Sequence, residues 1–297
     1  MKILITGGSG LLGQYLNIFL SKENEILTLY RNNPGNCINY NSLCQDITGF
    51  KGMSELFSSF RPDAVVHCAG FTRPEACSEE NKEEVIFTNV EATKHISELC
   101  DKHNAKLIYT STDLVYDGDS GGMMKENGKL KPLSMYAETK LETEKEIQNT
   151  FRNYVILRTS LLIGFGLNHS KTNFHIMYDA LKEGSSPKLF SDQFRTPFSL
   201  LNAAEVISEL AVSDVKEIIL NFSGRDRLSR VELGELVCDL AGFDKNLIEK
   251  IKMTDVPGFP AVKDVSLDTS LIQSFGFKIK SAEEAIFEIL KTKGYWK

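Results

Sequence analysis

Residues 2–13 read Lys2-Ile3-Leu4-Ile5-Thr6-Gly7-Gly8-Ser9-Gly10-Leu11-Leu12-Gly13. The first five form an unbroken β-type run, which predicts a strand over Lys2–Thr6 buried on both faces. Apolar Leu12, Leu16, Ile18, Phe19 and Leu20 then predict a helix over Leu11–Lys22. Between the two lie Gly7, Gly10 and Gly13. Glycine permits the tight turn and lets backbone N–H groups approach a pyrophosphate, which the unpaired donors and dipole of the helix start attract. A glycine pattern alone is weak, and its strand–turn–helix context is what makes this one specific. Gly7, Ser9, Gly10, Leu11, Leu12 and Gly13 are therefore expected to cradle a dinucleotide.

The alternation continues outward. Strands are predicted over Glu25–Tyr30, Ala64–His67, Lys106–Ser111 and Tyr154–Arg158, and helices over Val85–Lys102 and Ser134–Thr150. Strands alternating with helices predict an α/β fold, a Rossmann doubly wound parallel sheet. After Arg158 the pattern loosens into a loop at Gly164, Gly166, Asn168 and Ser170. Helices over Asn173–Glu183, Asn202–Ser213, Arg230–Ala241 and Ala282–Lys291 and a strand over Ile218–Asn221 follow, with a Pro/Gly-punctuated stretch at Val256–Pro260. The expected division is an NAD(P)-binding domain over residues 1–160, rejoined by 200–223. A smaller C-terminal α/β substrate-binding domain spans 161–297, mostly 161–199 and 224–297.

Composition narrows the function classes. The chain has 297 residues, 42% hydrophobic and 25% charged, with a formal net charge of −6. This is ordinary globular usage, and the acidic balance argues against nucleic acid as a partner. No apolar run reaches the roughly 18 residues of a spanning helix, and the N-terminal run is too short for a signal-peptide core. A soluble cytoplasmic protein without a membrane partner is expected. The six cysteines form no C-x-x-C pair and the five histidines lack ligand spacing, so reduced, mostly buried thiols and no metal are expected.

The end of the second strand selects the dinucleotide. An acidic residue there would hold a ribose diol, but the chain has Tyr30-Arg31. A guanidinium suits a 2′-phosphate, so NADP(H) is favoured and NAD(H) admitted. Asp46 is expected either to contact the adenine, with Ile47 beside it, or to cap a turn, and the backbone of Cys68-Ala69-Gly70 at the carboxyl edge of the sheet is expected to line the crevice.

Tyr136 and Lys140 are four apart on a helix that Ser134 can cap, which places both on one face near its first turn. A free tyrosine is protonated near neutrality. A neighbouring ammonium favours its phenolate and brings it closer to a working pH for proton exchange with a carbonyl. Thr112, after the fourth strand, offers a hydroxyl to the same oxygen. A Y-x-x-x-K spacing alone is uninformative, and Lys140 has an alternative partner in Glu144 one turn on. Joined to the glycine loop and Thr112, the set reads as catalytic.

These segments resemble the extended short-chain dehydrogenase/reductases, and among them the dTDP-4-dehydrorhamnose reductase (RmlD-like, sugar-nucleotide-binding) family. The resemblance runs through Thr6–Gly13, Arg61-Pro62-Asp63, Thr88–Thr93, Ser111–Gly118, Tyr136–Lys140, Leu157–Ser160, Asn173-Phe174, Asp192-Gln193-Phe194 and Leu267-Asp268-Thr269. It implies a nucleotide-activated 4-keto-6-deoxy sugar as substrate, catalysis by Thr112, Tyr136 and Lys140, and a cofactor contact at Asn89. It further implies substrate contacts at Thr112, Asp113 and Asn173. Three positions depart from the pattern: Leu161 where an aromatic residue is common, Arg195 where a glycine is common, and Phe259-Pro260 in place of an Arg-Pro pair. A guanidinium at 195 can hold a diphosphate bidentately, whereas Asp192 reads as a turn residue.

Two rival readings accompany this one. An epimerase or dehydratase of the same superfamily would regenerate its cofactor, but Asp113-Leu114 does not supply the acidic pair such dehydratases carry beside the threonine. A non-catalytic NADP-binding regulatory subunit, resembling the β subunit of methionine adenosyltransferase, is compatible with the intact triad. A homodimer stays open, since interface and core helices share one periodicity.

Overall fold

Strand β1 (Lys2–Thr6) lies inside a seven-stranded sheet in the computed structural model, which describes residues 1–257 and 262–293. Its parallel neighbours are β2 (Glu25–Tyr30) and β4 (Ala64–His67). Beyond β2 lies the short β3 (Ser42–Cys44), and beyond β4 lies β5 (Lys106–Thr112), both again parallel to their neighbours. The sheet continues through β6 (Tyr154–Thr159) to the returning β11 (Ile218–Phe222), in the order β11-β6-β5-β4-β1-β2-β3. Ile3, Leu4, Ile5, Val65, Val66, Leu107 and Ile108 are all fully buried, as parallel strands covered on both faces require. This is the expected Rossmann-like α/β arrangement.

Helices α1 (Leu11–Leu20), α2 (Phe50–Phe60), α3 (Lys82–Ile86), α4 (Ala92–His103) and α5 (Met135–Thr150) follow the successive strands. Met53 and Phe57 of α2, Ile96 and Cys100 of α4 and Ile147 of α5 enter one apolar cluster with Leu4, Leu29, Val65, Leu107 and Ile156 of the sheet.

Three local differences from expectation have physical causes. The predicted helix over Val85–Lys102 begins earlier and is interrupted at Phe87–Glu91 by a wide turn, in which the Ala92 N–H bonds to the Phe87 carbonyl. That turn lets the Asn89 amide bond both the N–H and the carbonyl of Phe71. Helix α2 was not predicted, although its buried Met53, Leu56, Phe57 and Phe60 follow helical spacing. Strand β3 has only three residues, below what a periodicity shows.

The chain divides into two compact units: residues 1–115, 132–158 and 204–220, and residues 116–131, 159–203 and 221–297. Residues 116–131, expected within the first domain, belong to the second unit. Asn221 explains why. Its side chain accepts from Tyr116 Oη at 2.7 Å and donates to the carbonyls of Met124 and Asp268 at 2.7 and 3.0 Å.

The second unit uses very short strands. β7 (Leu162–Ile163) pairs with β10 (Phe198–Ser199), β8 (Lys188–Phe190) with β13 (Glu249–Ile251), and β9 (Phe194–Arg195) with β12 (Leu228–Ser229). Its helices are α6 (Asn173–Lys182), α8 (Arg230–Ala241), α9 (Ser270–Ser274) and α10 (Ala282–Lys291), and α7 (Leu200–Val212) leads back towards β11. Ser229 with Glu232 and Ser281 with Glu284 form reciprocal caps at the starts of α8 and α10. Phe259-Pro260 lies outside the described residues. No helix among the described residues is long and apolar enough to cross a membrane.

Candidate active site

The glycine loop is set by backbone geometry. Gly7 has φ +70°, and its N–H-to-carbonyl turn closes with Gly10 N–H on Gly7 O at 2.9 Å. A Cβ on Gly13 would strike the Gly7 carbonyl, so only glycine lets α1 start this close to the strand. Beneath the loop, Asn17 Nδ2 donates to Gly8 O at 3.0 Å and to Asn36 Oδ1 at 2.8 Å. Asn36 in turn donates its N–H and its side-chain amide to Gln14. Gln14, Asn17 and Asn36 are buried and were not picked out in the sequence, although polar residues in the apolar stretch of α1 were the available signal.

Helix α1 starts at Gly10 with no side-chain cap and no acidic residue in its first turn. The donors of that turn and the positive end of the dipole suit a pyrophosphate. Just after β2, exposed Arg31 meets Asp46 at 3.0 Å and Glu84 at 4.0 Å. Burial works to raise the Asp46 carboxyl, but hydrogen bonds from Thr48 and the charge of Arg31 outweigh it and hold the group below the usual range. Ile47 is packed in the apolar cluster's buried set.

Cys68, Ala69 and Gly70 follow β4. Ala69 N–H bonds to Thr6 Oγ1 at 3.3 Å, and Gly70 adopts φ +143°. Burial pushes the Cys68 thiol up to about 12, so it stays protonated. His67 is fully buried between Thr6 Oγ1 at 2.5 Å and Thr93 Oγ1 at 2.8 Å, and burial together with the charge of Lys140 pushes it down to about 3. It is therefore a neutral spacer. The Asn89 amide is engaged with Phe71 and with Thr139 Oγ1 at 3.1 Å, which fixes the segment after Gly70. Among the described residues no group of His, Cys, Asp or Glu has the makings of a metal site. The cysteines are free, but only Cys37, Cys100 and Cys238 are buried.

Thr112, Tyr136 and Lys140 come together at the carboxyl end of β5, all buried. Ser134 caps α5 by accepting from Ala137 N–H at 3.3 Å. The Thr112 side chain lies near enough to the Tyr136 phenol to favour its ionised form. Thr112 donates to Asp113 Oδ1 at 3.2 Å and accepts from Leu114 N–H at 3.2 Å. Lys140 Nζ donates to the Thr110 carbonyl at 2.9 Å and lies 4.7 Å from the Tyr109 ring centroid.

The expected lowering of Tyr136 by its lysine is not what the chain alone produces. Burial raises the phenol well above its ordinary value, the Thr112 side chain works against that, and the charge of Asp113 reinforces it. The phenol is thus kept protonated. Burial also drives the Lys140 ammonium down to about 8, despite the opposing influence of Cys68 and Glu144. Glu144 does not pair with Lys140. It accepts from Arg158 of β6 through Nε at 3.1 and 3.2 Å and Nη2 at 2.7 Å, and from Ser111 Oγ at 2.5 Å.

The remaining candidates belong to the second unit. Asn173 is exposed in the first turn of α6, behind the cap Thr172. Arg195 is buried and donates to the carbonyls of Phe194 at 2.6 Å and Val262 at 3.3 Å. Asp192 accepts from Met253 N–H at 3.0 Å, a long-range bond rather than one within its own turn.

The model of the RmlD substrate binding domain matches residues 1–294. The chain belongs to this family. Among its relatives, this RmlD-family chain is 26% identical to a dTDP-4-dehydrorhamnose reductase of Aggregatibacter actinomycetemcomitans, over 97% of the chain and 98% of the relative. It is 25% identical to methionine adenosyltransferase 2 subunit beta of Xenopus laevis, over 93% of the chain and 82% of the relative. In fold it matches the crystal structure of dTDP-4-dehydrorhamnose reductase from Bacillus anthracis in complex with NADP, with a TM-score of 0.85 at 21% identity over 98% of each chain.

Proposed function

We propose that this chain is an NAD(P)H-dependent reductase of a nucleotide-activated 4-keto-6-deoxy sugar, like dTDP-4-dehydrorhamnose reductase, with Tyr136 as the proton donor. The observation that carries the reading is the burial of Thr112, Tyr136 and Lys140 at the carboxyl edge of the parallel sheet at which an uncapped, glycine-built helix also starts, in an RmlD-family chain.

The loop residues Gly7, Ser9, Gly10, Leu11, Leu12 and Gly13 would hold the pyrophosphate through backbone N–H groups. Arg31 would meet a 2′-phosphate by exchanging part of its contact with Asp46, which favours NADP(H) over NAD(H). Asp46 and the backbone of Ile47 would border the adenine. Cys68, Ala69 and Gly70 would line the crevice, held in place by Asn89, with Tyr136 and Lys140 reaching the ribose side. When bound, the reduced nicotinamide supplies the hydride for the keto carbon.

The residues of the chain do the rest. Thr112 anchors the keto oxygen, and Tyr136, kept protonated by burial and by Asp113, gives it a proton. Lys140 presents an ammonium that steadies the phenolate left behind. Asp113, Asn173 and Arg195 would face the sugar nucleotide, although Arg195 would have to release a backbone carbonyl to do so.

The test is oxidation of NADPH and NADH, followed by absorbance, with enzymatically generated dTDP-4-keto-6-deoxy sugar. Oxidation that requires the sugar supports the reading. A second reading, a cofactor-binding regulatory subunit, draws on the 25% identity to methionine adenosyltransferase 2 subunit beta. It is favoured by tight NADP(H) binding without turnover of any keto sugar, together with a stable complex with a synthetase.

A further inference from the structure

We propose that Glu144, held by Arg158 and Ser111, is a positioning residue that sets the height of α5 over the end of β5, and through it the placing of Tyr136 and Lys140 against Thr112. The proposal deepens the reductase reading and rests on it for its kinetic arm.

Tyr136, Lys140 and Glu144 recur at intervals of four and so share one face of α5. The end of β5 presents three consecutive residues to that face. The Thr110 carbonyl takes the Lys140 ammonium at 2.9 Å, the Ser111 hydroxyl donates to Glu144 at 2.5 Å, and the Thr112 side chain lies near the Tyr136 phenol. Two of these three contacts belong to the reacting groups. The third, at Glu144, is fixed from behind by the guanidinium of Arg158, with side-chain exposures of 3% for Arg158 and 1% for Glu144.

Packing alone does not call for such a pair. Apolar residues of like volume hold a helix on a sheet without the cost of desolvating two charges. What apolar residues cannot supply is a directional bond to the residue immediately before Thr112. Arg158 approaches Glu144 through two nitrogens and leaves Oε1 to be shared with Ser111. Sliding of α5 along β5 would break both bonds together.

Glu144 has a second effect on the site. Lys140 is faced by His67 at the end of β4, by Cys68 and Cys77 from the loop that follows it, by Tyr109 from β5 and by Glu144 from its own helix. The two thiols and the imidazole are uncharged near neutrality, which leaves Glu144 as the anion among these groups that supports the ammonium.

The experiment uses the full chain and three variants, Ser111→Ala, Glu144→Gln and Glu144→Asp. Lys140 is titrated by NMR in the ligand-free, ¹³C-lysine-labelled protein, its signal assigned by its loss in Lys140→Arg. Turnover is measured with NADPH and the keto sugar. Ser111→Ala keeps the ion pair and is expected to lower kcat by roughly ten-fold or more, the scale of a small misplacement. Its KM is expected to change less than about three-fold, and the Lys140 midpoint to stay in place. Glu144→Gln is expected to move that midpoint to lower pH, and Glu144→Asp to restore it without restoring kcat. A purely structural pair would lower Tm in these variants and move neither kcat nor midpoint. Wild-type kcat in Ser111→Ala, or an unmoved midpoint in Glu144→Gln, overturns the proposal. If Glu144→Gln does not fold, Ser111→Ala and Glu144→Asp decide it. If the wild-type chain turns over no keto sugar, the reductase reading falls, and the Lys140 titration still decides the role of Glu144.

Discussion

Helix α1 begins at bare Gly10, whereas α5 begins under Ser134, whose hydroxyl accepts the Ala137 N–H at 3.3 Å. Both helices follow a strand of the same sheet and both bring their first turn to the candidate site. In α1 the first turn offers backbone donors, and its side chains face the core: Leu12 and Leu16 are buried among apolar neighbours. In α5 the first turn is capped by Ser134, and the groups it brings to the candidate site are the side chains of Tyr136 and Lys140. The contrast teaches a division of labour. A helix start left open can hold an anion, and one that is capped holds its own first turn still while side chains react.

The sharpest way to break this contrast is Tyr136→Phe, which removes a side-chain function and nothing else. Turnover is expected to fall about 10²- to 10⁴-fold, the usual range for a lost general acid, with cofactor affinity within a few-fold. Equal losses of turnover and of NADPH binding would merge the two roles that the helices keep apart.

Gly13→Ala attacks the other side. A methyl against the Gly7 carbonyl is expected to cost about 1–3 kcal/mol by overpacking. That cost should appear as weaker NADPH fluorescence binding and a lower Tm, with kcat at saturating cofactor changed little.

The pH profile sharpens the comparison within α5. Lys140 sits near 8, below its ordinary value, because burial disfavours its charge. If the ammonium is the working form, kcat stays level below about 8 and falls as pH rises through it, while Tyr136 remains protonated throughout. The same depression means that the folded state binds the Lys140 proton less tightly than the unfolded chain. Stability from this group is therefore smallest at low pH and increases between about 8 and the unfolded value. A kcat that climbs through pH 8 would point to the neutral amine instead.

Arg31→Ala is expected to act on cofactor choice alone. The guanidinium is exposed and already shared with Asp46, so the change is modest, about 1 kcal/mol or roughly five-fold in the NADPH-to-NADH ratio of kcat/KM. Ser134→Ala, the smallest of the set, is expected to cost about 1 kcal/mol of stability with the pH profile unmoved.

Much of this was readable beforehand. The apolar runs of β1, β2 and β4 and the periodicities of α8 and α10 fall where the structure has them, because each is long or strongly patterned enough to dominate its window. The loop at 7–13 was legible for a different reason, since backbone geometry dictates its glycines, and Thr112, Tyr136 and Lys140 were singled out by their residue types and spacing. Asn36 and Asn17 were not legible, since their role depends on a partner in a different element. Glu144 was noticed only as a neighbour of Lys140. Its true partner, Arg158, lies 14 residues on in another element, beyond any helical spacing. Arg195 was expected to meet a diphosphate, and its buried bonds to the carbonyls of Phe194 and Val262 depend on a loop partner 67 residues away that no sequence window reveals.

The place of β11 has a consequence for how the chain is made. The strand lies beside β6, yet it is encoded about sixty residues later, after much of the second unit. A nascent chain that has emerged only as far as β6 therefore has an open edge there, with unpaired N–H and carbonyl groups ready to accept a foreign strand. Synthesis must run past residue 222 before that edge is closed, so the interval is a window in which chaperone binding competes with aggregation.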